Sequence, residues 1–153
     1  MEASPTTKQS TDPYIFRPYT LDDLNFIRNS WAISFQKGCK YKAWLTPETF
    51  NYYHRPMRDR VLSEPTLAII VCAGKDCPEV ILGWIAVETV YKANGFILHY
   101  IYVKGDFTGS GIGSELLKLA VPTGPVFYTH RTNEGMNFIK SKDFNFLYAP
   151  HLI

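Results

Sequence analysis

Hydrophobic positions recur along this chain either at spacings of three and four residues or in short, nearly continuous apolar runs, and their order outlines a fold. Residues 14–18 are apolar and extended, and Arg17 precedes a proline that biases it away from helix, so a first strand is expected there. Thr20 opens a helix, with Asp23 three residues on in a capping position and Leu24, Ile27, Trp31 and Phe35 on one core-facing side. Thr46, Pro47 and Glu48 mark a second helix start: a hydroxyl at the cap, proline in the first turn and a carboxylate at the positive end of the dipole. That helix runs toward Leu62, and Pro56, which has no amide donor, is expected to kink or divide it.

The middle of the chain reads as strands. Residues 67–73 and 80–87 are short apolar runs around turn residues 74–78, Asn94-Gly95 is a strong turn signal, and 96–103 is the next strand of a meander. Glycine-rich residues 105–113 follow, then a helical stretch at 114–120, a break at 122–125, a strand at 126–129, a short helix at 133–140 and an aromatic strand at 144–148. With no internal repeat, these elements make one α/β domain over residues 14–153, behind a polar, flexible tail at 1–13.

Composition narrows the class. The chain of 153 residues is 46% hydrophobic, enough for one substantial core. Its apolar runs fall far short of the ~20 residues that cross a bilayer, so no membrane partner is expected. The tail lacks the apolar region of a secretory signal, and three cysteines at no metal or redox spacing point to a reducing, cytoplasmic setting without a metal site. Cys72 reads as a small apolar residue in a buried strand, and Cys77 as a turn residue. Sixteen basic against fourteen acidic residues give a net charge of +2, too small to indicate nucleic acid. A local group, Arg55, Arg58 and Arg60 beside Tyr52, Tyr53 and His54, still leaves nucleic acid open as a partner.

The richest segment is 97–117, where a strand ending in Val103 enters a glycine-rich turn and then a helix. That order aims several backbone amides into one concavity at a helix N-terminus, which is an anion site. Glycines at 109, 111 and 113 permit positive φ and let a phosphate approach the main chain without an intervening Cβ. The segment is not a P-loop, since no Gly-Lys-Ser/Thr ends it, and it is not a dinucleotide fingerprint.

The strand, the Thr108-Gly109-Ser110-Gly111-Ile112-Gly113 loop and the following helix resemble motif A of the GNAT acyltransferase superfamily. Residues 133–144 resemble the family's closing helix and the aromatic residue after it, and Phe16-Arg17-Pro18 with the Thr20 helix resembles its opening. The stretches at 30–35, 81–85 and 98–104 are similar to short GNAT-like proteins of bacteriophages and prophages, which would place the chain in a host cytoplasm during infection. The resemblance implies a mixed, mostly antiparallel central sheet flanked by helices, and an acyl-CoA-dependent N-acyltransferase that moves an acetyl or other acyl group to an amine. It implies that the loop, Thr108, Gly109, Ser110, Gly111, Ile112, Gly113 and Ser114, holds the CoA pyrophosphate through the amides of residues 110–114, and that the main chain of Ile101 and Val103 pairs with the pantetheine arm. Four positions depart from the family pattern: Thr108 stands where Arg or Gln is usual, Ile139 where many members have an acid tyrosine, Asp143 in place of a common glycine, and Ile97 in the register of a strand glutamate. Those losses keep two alternatives in view, a non-catalytic GNAT-like binding protein of phage origin and an enzyme that acylates a nucleic-acid base or a charged tRNA.

An attacking ammonium must lose a proton, which asks for a base near neutrality, and histidine has that pKa unperturbed. His99 in the central strand and His130 at a strand end are the candidates, with Glu88 a third. If the strand is regular, period two puts Ile97, His99, Ile101 and Val103 on one face and Leu98, Tyr100 and Tyr102 on the other. As the base, His99 would make the rate rise with pH through ~6.5. For the acid that meets the departing thiolate, Tyr148 leads Tyr128 and Tyr102.

Overall fold

The computed structural model describes residues 12–39, 43–90, 95–142 and 144–152. Residues 1–11 of the expected tail, Asn94 of the expected turn, and Asp143 lie outside them. Six strands, β1 (Tyr14–Pro18), β2 (Leu67–Gly74), β3 (Ile81–Val90), β4 (Gly95–Val103), β5 (Val126–Tyr128) and β6 (Phe146–Tyr148), form one sheet in sequence order. β1 to β4 pair antiparallel, and β5 and β6 add in parallel, so the mixed, mostly antiparallel sheet is as expected. Ahead of β1, Pro13 is already tied in, its carbonyl accepting the Lys75 amide at 2.9 Å.

Two cores sandwich the sheet. Helices α1 (Leu24–Gly38) and α2 (Pro47–Leu62) cover one face through Ile27, Trp31 and Val61, packed on Val71, Trp84, Ala86 and Tyr100. Helices α3 (Ile112–Ala120) and α4 (Asn133–Lys140) cover the other, where Ile112, Leu116 and Leu117 of α3 meet Ile85, Val87, Leu98, Val126 and Tyr128. Of the expected face on α1, Ile27 and Trp31 are fully buried. The Thr20 start is real but begins with a 3-10 turn at Leu21–Asp23. There the Asp23 carboxylate accepts the Thr20 amide at 2.7 Å and both terminal nitrogens of Arg17 at 2.7 and 3.0 Å, which holds its pKa below the usual carboxylate range.

Two expectations about local geometry give way. Pro56 does not divide α2, which is one helix over Pro47–Leu62. Pro56 is exposed, as is Tyr52, whose carbonyl loses its helical donor at a place that solvent can reach. β4 is not regular either. Ala86 pairs with Tyr100 and Val87 with Leu98, so His99 is an extra residue, a β-bulge. Ile97 lies opposite Glu88 and His99 reaches that same carboxylate, so both share the α1/α2 face with Tyr100 and Tyr102. Leu98, Ile101 and Val103 occupy the α3/α4 face, and the shared face expected for His99 with Ile101 and Val103 does not exist.

Candidate active site

β4 pairs with β5 only through Phe96, Ile97 and Leu98. A last bond from the Thr129 amide to the Leu98 carbonyl, at 3.3 Å, closes that ladder. The strands then part, and among the described residues no strand pairs with 99–103 of β4 on that side. Three hollows that share lining residues follow the parting. One of about 120 Å³ runs along Tyr100, Ile101, Tyr102 and Val103 to Thr108 and Gly113, with Gly135 and Phe138 of α4 as its far wall. A narrow crevice lined by Leu98, His99, Tyr128, His130 and Ile139 lies where the parting begins. A third, of about 360 Å³, is walled by Phe35, Cys39, Thr129, His130, Arg131, Met136 and Tyr148.

At the end of the first hollow the chain makes a 3-10 turn at Gly105–Phe107 and enters α3 through Gly109 (φ +82) and Gly111 (φ +90). Positive φ is confined to these two; Gly113 lies inside α3, where a Cβ would sit 3.1 Å from the Phe138 ring, so its smallness serves close approach of α4 instead. The Thr108 and Ser110 amides turn inward to the Gly105 and Phe107 carbonyls, at 3.3 and 3.2 Å. Ser110 therefore drops from the amide set, and the amides of Gly111, Ile112, Gly113 and Ser114 find no acceptor among the described residues. As the first N–H groups of a helix they are left free in the arrangement that an anion nest requires. Lys142, which the sequence reading passed over, sends its ammonium 2.5 Å from the Ser114 hydroxyl and 4.9 Å from the Phe138 ring centre. That places a positive charge beside the nest, where Thr108 supplies none.

His99, 1% exposed, contacts Glu88 Oε1 through Nε2 at 2.6 Å and the Thr129 hydroxyl through Nδ1 at 3.3 Å. The same hydroxyl lies 2.8 Å from His130 Nδ1. His130 Nε2 is 3.4 Å from His54 Nε2, and His54 Nδ1 is 3.4 Å from the buried Arg58 guanidinium. Burial first, then Arg58, pushes His54 down to about 4; burial first, then His54 and His99, pushes His130 down to about 3. Burial also lowers His99, against an opposing pull from Glu88. His99 is thus not the unperturbed imidazole on which the expected rate rise at ~6.5 rests. Arg58 being buried, the Arg55, Arg58 and Arg60 group is not one exposed basic patch.

Of the phenols, Tyr148 is 45% exposed in the largest hollow with the Arg131 guanidinium 4.8 Å from its ring centre. Tyr128 lies in the crevice with its hydroxyl on Met136 Sδ at 3.7 Å, and Tyr102 borders the first hollow with its pKa raised by burial. Ile139 and Ile97 are as apolar in place as in sequence: Ile139 lines the crevice, and Ile97 is buried between its partners Glu88 and Phe127. Cys72 is fully buried with its thiol pushed up to about 11 by desolvation, in keeping with a packing residue. No cluster of metal-ligating side chains occurs among the described residues.

A sheet parted beside a bulge, with an amide nest at the end of the parting strand, defines an acyltransferase-like site. Residues 29–124 match the family model described as the acetyltransferase (GNAT) family, and the chain belongs to that family. Among solved structures it is similar to a GCN5-related N-acetyltransferase from Ralstonia eutropha JMP134, at TM-score 0.60 and 16% identity, over 84% of this chain and 90% of that one. It is also similar to the PaiA N-acetyltransferase of Thermoplasma acidophilum in complex with coenzyme A, at TM-score 0.58 and 16% identity over 84% and 87% of the two chains. A third likeness is to an aminoglycoside acetyltransferase, meta-AAC0020, from an uncultured soil metagenomic sample, at TM-score 0.53 and 14% identity over 86% and 88%. No curated protein matches the sequence. These likenesses carry the fold. No helix among the described residues is long and apolar enough to cross a membrane.

Proposed function

We propose that the protein is an acyl-CoA-dependent N-acyltransferase, one catalytic domain over residues 14–153, acting in the cytoplasm on a CoA thioester and an amine. The observation that carries the reading is the unpartnered edge of β4 running straight into the unpaired amides of Gly111, Ile112, Gly113 and Ser114. A pantetheine arm fits the edge at Ile101 and Val103, and a pyrophosphate fits the nest with Lys142 beside it. When bound, the thioester supplies the electrophilic carbonyl. The narrow crevice lined by His99 and His130 would keep bulk water from a thioester carbon placed there, and the larger hollow, which His130 also lines, would take the amine. Holding both reactants in one parting of the sheet supplies the proximity that such a transfer needs. A phage origin, expected from the resemblance noted for residues 30–35, 81–85 and 98–104, is part of this proposal.

Linkage tests the reading. At 100 times its Kd, acetyl-CoA stabilises the native state by about 2.7 kcal/mol, a Tm rise of roughly 5–10 °C for a chain of this size. Native mass spectrometry of the purified protein is expected to show a co-purified CoA species. A flat thermal scan at millimolar acetyl-CoA, with no co-purified CoA, refutes it.

A further inference from the structure

Three histidines, far apart in sequence, converge on one line of contacts through the core. At one end, Arg58 can only donate, so His54 Nδ1 accepts from it and His54 Nε2 carries the proton. That proton points at His130 Nε2, which must then be bare, and leaves the His130 proton on Nδ1, facing the Thr129 oxygen. At the other end a Glu88 carboxylate only accepts, so His99 carries its proton on Nε2, its Nδ1 is bare, and the Thr129 hydroxyl donates to it at 3.3 Å, with the His99 carbonyl a second acceptor of that proton at 3.4 Å. The assignments made from the two ends meet at Thr129 without conflict. The result is a single chain of donors, Arg58 to His54 to His130 to Thr129 to His99 to Glu88, with every ring neutral between a buried cation and a carboxylate. Burial holds all three rings below the ordinary imidazole pKa, in agreement.

Burial explains why no ring keeps a charge, and it leaves His130 a weak base, unable to store a proton. We propose that His130, Thr129, His99 and Glu88 form a proton relay that takes the proton from the acceptor ammonium in the larger hollow and delivers it to the Glu88 carboxylate, with His54 and Arg58 as positioning residues that set its direction. The proposal rests on the acyltransferase reading above. His130 borders both the amine hollow and the crevice, so it is the member of the chain that meets the reacting nitrogen. The ammonium N–H bond breaks, its electron pair stays on the nucleophilic nitrogen, and the proton binds His130 Nε2, displacing the loose His54 contact. The Nδ1 proton passes to Thr129, the Thr129 proton to His99 Nδ1, and the His99 Nε2 proton to Glu88 Oε1. The Glu88 side chain is 17% exposed and releases the proton to water. The chain resets when His130 gives its Nε2 proton to water entering the larger hollow and one proton taken from water at Glu88 passes back through His99 and Thr129 to His130 Nδ1, restoring the starting tautomers.

Other groups facing the relay are Arg60 and Glu64 of α2 and its following turn, near His99, and the Thr66 hydroxyl on Glu88 Oε2 at 3.1 Å. Tyr100 packs on His130 with its own hydroxyl taken by Ser34 at 2.7 Å. Arg60 and Glu64 oppose one another at His99, so the relay's polarity is set by Arg58 and Glu88.

Two measurements test the relay. Nitrogen-15 NMR of the imidazoles in the free protein at pH 7 is expected to show protons on Nε2 of His99, Nδ1 of His130 and Nε2 of His54; a proton on His130 Nε2 or on His99 Nδ1 overturns the proposal. In acetyl transfer, Thr129→Val is expected to lower kcat about 100-fold at pH 7, with the KM for acetyl-CoA unchanged. The loss is expected to shrink toward pH 10, where free amine no longer needs a base, and Thr129→Ser, which restores the hydroxyl, is expected to recover the rate. A Thr129→Val enzyme within threefold of wild type at pH 7, or an equal loss at every pH, overturns it. If wild type transfers acetyl to no amine, the acyltransferase reading fails, and the tautomers alone decide whether the chain exists.

Discussion

His54→Gln tests the buried histidines through stability, apart from any activity. Burial holds the folded-state pKa of His54 at about 4, below the unfolded value of ~6.5. Its neutral form therefore stabilises the native state fully above about pH 6.5, and that stability is lost as pH falls through this value toward about 4. Between pH 7 and pH 5 the ring costs about 2 kcal/mol, and His130, with an even lower folded pKa, costs a similar amount. Wild type is thus expected to lose about 4 kcal/mol over that interval from these two rings, a large fraction of an ordinary domain's stability. Gln at 54 keeps one acceptor for Arg58 and one donor for His130, in the 5.1 Å stack on Phe50, but does not titrate. It is expected to stay near wild type at pH 7 and to lose only about half as much by pH 5. Urea unfolding at pH 7, 6 and 5 reads this directly, the difference at pH 5 amounting to about 1 M in midpoint at a typical slope. Parallel pH profiles for the two proteins would refute the claim that His54 is buried and neutral.

Thr108→Arg is expected to tighten CoA about tenfold by adding a charge-assisted donor to the loop, and Lys142→Gln to weaken it by a similar factor; isothermal titration reads both. An unchanged affinity in both folded variants means that phosphate binds elsewhere. Gly111→Ala meets no atom within 4 Å, so its cost is conformational: φ of +90 is expected to destabilise the free protein by about 1–2 kcal/mol. A urea midpoint equal to that of wild type would show that the loop relaxes to another conformation.

Much of the architecture was readable because it rests on local signals. Helix caps at Thr20 and Thr46, apolar spacing on α1, and the strand-glycine-helix order around Gly109 and Gly111 are each written within a few residues. The site was readable only in part. His99, His130 and Glu88 could be nominated by type, but as rivals, since nothing local says that a Thr129 hydroxyl joins two of them. His54 was grouped with its arginine neighbours, whereas its contact to His130 spans 76 residues. Lys142 was invisible for the same reason, its partner Ser114 being 28 residues away.

The bulge at His99 ties the two halves of the site to one backbone event. On β3, Trp84, Ala86 and Glu88 alternate onto the α1/α2 face, so a histidine that reaches Glu88 must lie on that face too. Ile101 and Val103 must face α3 and α4 for the core to close. Strict period two forbids both at once, because it puts residues 99, 101 and 103 together. One extra residue resolves the conflict: His99 and Tyr100 point to the same face, and alternation resumes in the opposite phase. The same irregularity falls where β4 loses β5, immediately after Leu98. A single inserted residue therefore aims the buried imidazole at Glu88 and marks where the strand edge becomes free for a ligand. Removing it would undo both features together.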